Sequence, residues 1–245
     1  MTEILKITIS FIMAVTPAIF LVKYFYGKDS AKPEPASQII KIFILGIIST
    51  IPIIIIEYVF QYLSFLFDKS PLAAVFINAF IIAALSEETF KFLIVRIFIY
   101  NKPFFDEEVD GIIYCVVAGL GFACMENILY VMNSGIGVAL IRAFTAIPLH
   151  ALAAGIMGYY IGKAKFSATA GERNLYFIKG LAAAILIHGI YDFVLMGAPL
   201  LEKNFGALIS LLSVFLLIPF LLITFFMLKK DIKTAIRHDR ENNRI

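Results

Sequence analysis

The stretch AALSEETFKFLIVRIF, residues 83–98, places Glu87, Glu88 and Lys91 inside a run that otherwise reads as apolar helix. The plain alternative is a helix start, with Ser86 as N-cap and the acids in the first turn. It requires a polar face beyond the cap, and FKFLIVRIFIY, residues 90–100, has too little polar surface for a helix lying against water. The three charges are therefore expected within an apolar environment, and the rest of the chain identifies that environment.

Hydrophobic residues make up 61% of the 245 and charged residues only 16%, too apolar for a water-soluble domain of this length. The mean hydropathy is +0.91. Apolar runs long enough to cross a bilayer, roughly 20 residues each, recur at about 4–26, 38–66, 71–100, 109–133, 136–162, 174–198 and 205–228. The expected architecture is an all-α, polytopic membrane bundle of about seven helices. It forms one transmembrane domain over 1–245, ending in a basic tail over 229–245.

The connections carry turn punctuation: GKDSAKPEPASQ, DKSP, NKPFFDEE, NSG, GKAKFSATAGERN and LEKN in chain order. None is long enough to be a soluble domain. Their basic residues divide unevenly. One side holds Lys6, Lys69 and Lys203; the other holds Lys28, Lys32, Lys102, Lys163, Lys165 and Arg173 with the tail residues Lys229, Lys230, Lys233, Arg237, Arg240 and Arg244. By the positive-inside rule the amino terminus is expected outside and the tail in the cytoplasm, which agrees with an odd number of spans.

The net charge of +3 reads as topology and attraction to anionic lipid, and no nucleic-acid surface is expected. Cys115 and Cys124 lie too far apart along one span to bridge each other. The first span is long, lacks a small-residue cleavage pattern and carries Pro17, so it is expected to stay in the mature protein. Abundant Ile, Phe and Lys fit an AT-rich prokaryotic source, with the plasma membrane as the default location.

A charge near the bilayer centre costs about 2.5–3.5 kcal/mol even on lenient scales, so each one needs a partner, a wet cavity or a function. The third span holds Glu87, Glu88 and Lys91; the fourth Glu126 and Asn127; the fifth Arg142 and His150; the sixth His188 and Asp192. Counting inward at about 1.5 Å per residue, Glu87, His150 and His188 reach the same depth on three helices. Helical spacing adds two local pairs, because Lys91 follows Glu87 by four residues and Asp192 follows His188 by four.

Other polar residues have bland explanations. Glu126 lies eight residues before Ser134 in the tight turn and Arg142 eight after, so an antiparallel hairpin would join them as a structural ion pair. This weighs evenly against a direct catalytic role for Glu126, with Asn127 beside it. His238 is expected at the surface of the tail, and Glu57 and Asp110 at the interface near span ends. Gly119, Gly121, Gly155 and Gly158 are expected to permit close helix packing.

Two classes of chemistry use such a cluster. In hydrolysis, a carboxylate in an apolar setting takes a proton from water while histidine stabilises the oxyanion of an attacked amide. A metal-dependent form would use His150, His188 and Glu87 as zinc ligands, without an HExxH motif to support it. A proton-coupled transporter needs the same residue types, although no internal repeat and no paired broken helices are read in the sequence. From the residues alone both classes stay open.

EETFK at 87–91, DGIIYCVVAGLGFACMENILY at 110–130, PLHALAAGIMGYYIG at 148–162 and HGIYDF at 188–193 together resemble the motif series of the PrsW family of intramembrane proteases. The likeness in order and spacing runs from about residue 80 to 195. That family is similar in turn to the CAAX prenyl endopeptidase and bacteriocin-immunity superfamily, which leaves an immunity protein as a further alternative. The resemblance implies a protease core over about 71–198, with Glu87 as water-activating base and Glu88 as its support. It also implies His150 and His188 as the imidazoles, Lys91 where the superfamily often has arginine, and Asp192 where it has asparagine. A carboxylate donates no hydrogen bond unless protonated, so Asp192 is expected to orient His188 or to bind through a proton of its own, and the oxyanion donor stays open. The resemblance further implies a single-pass membrane protein as substrate, by analogy an anti-sigma factor, and either zinc or no metal at all.

Overall fold

A computed structural model of the protein describes residues 3–28, 32–65, 70–242 and 244. Lys69, parts of the GKDSAKPEPASQ and DKSP connections, and the side chain of Lys6 lie outside the described residues. Among the described residues, seven helices are long and apolar enough to cross a membrane, in agreement with the seven apolar runs. The first two are α1 (Glu3–Tyr26) and α2 (Ala36–Phe65). The third is composite: α3 (Pro71–Phe76), a π-helical segment (Ile77–Ala84) and α4 (Leu85–Phe98). The fourth is α5 (Glu108–Ser134), the fifth α6 (Ile136–Phe144) with α7 (Ala146–Lys165), the sixth α8 (Ala170–Phe205), and the seventh α9 (Ala207–Phe215) with α10 (Leu217–Glu241).

Helix α5 is the axis of the bundle. Its most apolar stretch is 78% buried, against 17–44% for the other six spans. Close approach of its neighbours depends on missing side chains. A Cβ on Gly158 of α7 would lie 2.2 Å from the Gly111 carbonyl oxygen of α5, and one on Gly121 of α5 would lie 2.2 Å from the Phe43 carbonyl oxygen of α2. The backbones of α2 and α7 thus touch that of α5 directly, the packing that small residues permit between membrane helices. Outward, Ile51, Tyr58, Phe144 and Leu216 are 61–79% exposed, an apolar exterior suited to hydrocarbon.

Two spans are interrupted, which the sequence reading does not anticipate. Thr145 separates α6 from α7, and Leu216 separates α9 from α10. Pro148 and Pro219 stand at the third position of the helices that follow. A proline there lacks the N–H for the carbonyl four residues back and its ring clashes with that carbonyl, while a first-turn N–H needs no intrahelical partner. Each proline thus sits where the missing N–H falls at the break, whereas Pro17, Pro52 and Pro199 lie inside continuous helices.

The basic segment after residue 228 continues α10 to Glu241 and packs onto α5. Asp239 is fully buried and accepts from the α5 backbone, Oδ1 from Glu108 N at 2.7 Å and Oδ2 from Val109 N at 3.2 Å. It caps a helix 130 residues earlier in the chain. His238, expected at the surface, is only 30% exposed and lies 3.3 Å from Glu108 Oε2. Asp110, expected at the interface, is fully buried, with Oδ2 accepting from Asp106 N at 2.9 Å and Glu107 N at 2.8 Å. The first difference arises because the last helix packs on the start of α5, the second because Asp110 turns back to cap its own helix.

Candidate active site

The π-helical segment leads directly into the acids. Its wider turn adds a residue relative to α-helix, and such bulges occur often at functional sites. Ser86, Glu87, Glu88 and Lys91 are all buried on α4, so SEE is the interior of a span and not a helix start. Phe80 of the π-helical segment packs onto Gly189 of α8, where a Cβ would come within 2.2 Å of its ring. That contact draws α8, with His188, against the acids.

Lys91 is at the centre. Its ammonium lies 2.7 Å from Glu88 Oε1, 3.1 Å from Glu87 Oε2 and 3.0 Å from His150 Nδ1, one partner for each of its three hydrogens. Phe122 lies 4.4 Å from the same ammonium, over its ring face. Because Lys91 donates to Nδ1 of His150, the network assigns the ring proton to Nε2, which donates to Glu126 Oε2 at 2.9 Å. The same Glu126 oxygen accepts from Arg142 Nη2 at 2.7 Å.

His188 is held at both nitrogens. Nδ1 lies 2.8 Å from Glu88 Oε1 and Nε2 lies 3.3 Å from Asp192 Oδ2. Its ring is 5.0 Å from that of His150 and nearly perpendicular to it. Glu87 Oε2 is 3.9 Å from His150 Nδ1 and 3.8 Å from His188 Nδ1. The three residues placed at one depth by counting along their spans meet in space.

The hairpin ion pair forms as expected between Glu126 and Arg142, yet Glu126 also reaches His150, so the structural and the site reading hold together. Asn127 is buried away from the cleft, donating from Nδ2 to Ala14 O at 3.0 Å and accepting at Oδ1 from Arg142 Nε at 3.2 Å. It ties α1 to the arginine.

The cluster opens onto a cleft of about 690 Å³. Glu87, Glu126, Arg142, His150, His188, Tyr191 and Asp192 line it, with Val138, Ile141, Leu211 and Phe215 as apolar wall. Tyr191 donates to Thr145 Oγ1 at 2.9 Å, joining α8 to the break between α6 and α7. Glu57 of α2 also lines the cleft, a placement that its expected position near a span end does not indicate. The signal available for it was an acid inside the apolar run IPIIIIEYVF, residues 51–60.

Glu87, Glu88, His150 and His188 each offer a ligand atom, and these atoms lie within 4.8 Å of one another. Two imidazoles and two carboxylates are donors that suit zinc, and Glu88 Oε2 is buried without a hydrogen-bond partner among the described residues. By donor type the group fits a divalent ion, with the Lys91 ammonium already placed among the same atoms.

Residues 34–224 match the family described as PrsW family intramembrane metalloprotease. The chain is 38% identical over 182 residues to protease PrsW of Geobacillus kaustophilus, covering 74% of this chain and 77% of that protein. It is 41% identical over 183 residues to protease PrsW of Oceanobacillus iheyensis, covering 75% and 81%. Protease PrsW of Halalkalibacterium halodurans is 32% identical over 227 residues, 93% of this chain and 97% of that protein. No solved structure matches. A buried acid and imidazole cluster at the floor of a membrane cleft, within a sequence alike over most of its length to these proteases, makes the chain a hydrolase of the cell membrane that belongs to the PrsW family of intramembrane proteases.

Proposed function

We propose that Glu87 is the general base of this protease. It is the acid of the Glu-Glu pair that faces the cleft, with Lys91 and both imidazoles around one of its oxygens, and this placement carries the reading. A carboxylate so placed takes a proton from a water in the cleft as the water attacks a substrate carbonyl, then returns it to the leaving amine. Glu88 is the support: fully buried, it holds His188 by Nδ1 and shares Lys91 with Glu87.

His188 also lines the cleft, and its Nε2 has a partner only at 3.3 Å in Asp192. That N–H serves as the oxyanion donor, and Asp192 orients the ring and balances its charge. His150 is fixed by Lys91 and Glu126 and forms the opposing wall, with Arg142 supporting Glu126. If a zinc ion is bound, His150, His188 and Glu87 would hold it, and it would supply Lewis-acid polarisation of the carbonyl.

The substrate is a single-pass membrane protein, by family analogy one resembling an anti-sigma factor. The protease core spans about 71–198 within one transmembrane domain, with the amino terminus outside and the basic end cytoplasmic, as the distribution of Lys and Arg supports. A proton-coupled transporter draws no support from the family match.

The test compares new peptide termini in membranes of cells expressing the wild-type chain or Glu87→Gln at equal abundance. Termini made by the wild type are expected to fall at least about 100-fold in the variant, the usual scale for losing a general base. Equal termini from both chains would overturn the assignment.

A further inference from the structure

The acids of the cleft differ in what neutralises them. Glu87 has Lys91, Glu126 has Arg142 and His150, and Asp192 has His188. Glu57 has no cation within ion-pair distance among the described residues; its partner is the Ser86 hydroxyl, 3.3 Å from Oε1. That hydroxyl carries one hydrogen and has better acceptors, Ile82 O at 2.5 Å and Ala83 O at 3.0 Å. Glu57 is thus the acid of the cleft with the weakest claim on any donor of its own chain.

Its position gives the deficit a use. Glu57 lies on α2 in the same cleft as Glu87, and its partner Ser86 directly precedes the proposed base, so the carboxylate stands beside the place where a bond would be cut. A carboxylate beside apolar wall is costly without a counter-charge, and the counter-charge missing from the chain can come with the substrate.

We propose that Glu57 is a specificity-determining residue that pairs with a lysine or arginine side chain of the substrate close to the scissile bond. This rests on the reading of the cleft as the active site. A charge-assisted hydrogen bond of this kind selects basic over neutral side chains by about tenfold. Among the described residues Glu57 makes no hydrogen bond or ion pair to the Glu-His-Lys cluster, so the contacts that assemble the cluster do not run through it.

The experiment maps cleavage sites by mass spectrometry of membranes from cells expressing wild type, Glu57→Gln, Glu57→Lys or Glu87→Gln, each matched for abundance. Sites present with wild type and absent with Glu87→Gln define the protease's own cuts. Those sites are expected to be enriched in Lys or Arg at one fixed offset. Glu57→Gln is expected to cut on, with that enrichment reduced about tenfold, and Glu57→Lys to shift it toward Asp or Glu. An offset preference unchanged in both variants, or absent in the wild type, overturns the proposal. So does the loss of every cut in Glu57→Gln with the protein still folded, which would make Glu57 a proton donor to the reaction. Wild-type cuts that persist in Glu87→Gln would instead sink the base assignment, a separate failure.

Discussion

Replacing Lys91 with methionine tests the electrostatic centre of the site. The change keeps a long unbranched chain but removes the charge, leaving Glu87 and Glu88 side by side at 5% and 0% exposure. Removing one partner of a buried ion pair costs about 3–5 kcal/mol, because the remaining charge stays desolvated. For a chain of this size each kcal/mol moves the unfolding midpoint by about 2–4 °C, so Lys91→Met should unfold roughly 6–20 °C earlier. The protein carries its own probe. Cys115 and Cys124 are 0% and 2% exposed on α5, so a thiol-reactive dye added to detergent-purified protein reads the opening of the bundle axis. Adding Glu88→Gln to Lys91→Met removes one of the two adjacent buried carboxylates and is expected to recover at least about half of the loss. A midpoint for Lys91→Met within about 2 °C of wild type, or no recovery in the double variant, would refute the claim that this lysine is the counter-charge of the pair.

Arg142→Ala and Glu126→Ala should each lower the unfolding midpoint, and the double change should be no worse than the poorer single one, with a coupling of about 0.5–3 kcal/mol. Cleavage should fall further in Glu126→Ala than in Arg142→Ala, since of the two it is Glu126 that touches His150; additive stability effects would argue against the pair. Gly158→Ala sets a Cβ 2.2 Å from the Gly111 carbonyl oxygen, a backbone atom that cannot swing aside, and should cost about 1–3 kcal/mol in the same dye assay. Gly137→Ala, within α6, meets nothing within 4 Å among the described residues and should not lower the midpoint. Equal behaviour of the two glycine variants would refute direct backbone contact between α5 and α7.

Much of the site was legible because depth in a membrane is a local property of the chain. Span limits and a constant rise per residue put Glu87, His150 and His188 at one level, and a four-residue spacing puts Lys91 on the face of Glu87 and Asp192 on that of His188. The tight turn between α5 and α6 made the Glu126 to Arg142 pair readable in the same way. The motif series alone was enough to indicate the protease family.

Tertiary structure decided which way each helix faces. Rotation about a helix axis is set by its neighbours, here by glycine contacts that press α2 and α7 onto α5, and no spacing within one helix encodes it. Hence Lys91 finds His150 as its third partner, Glu126 serves arginine and imidazole together, and Glu57 turns into the cleft from a span whose pattern marked it as interfacial. Hence also Asp239 caps α5 from the far end of the chain, where sequence distance hides the contact. Composition and periodicity determined a seven-span membrane protein with its charges at one depth; packing determined which of those charges meet.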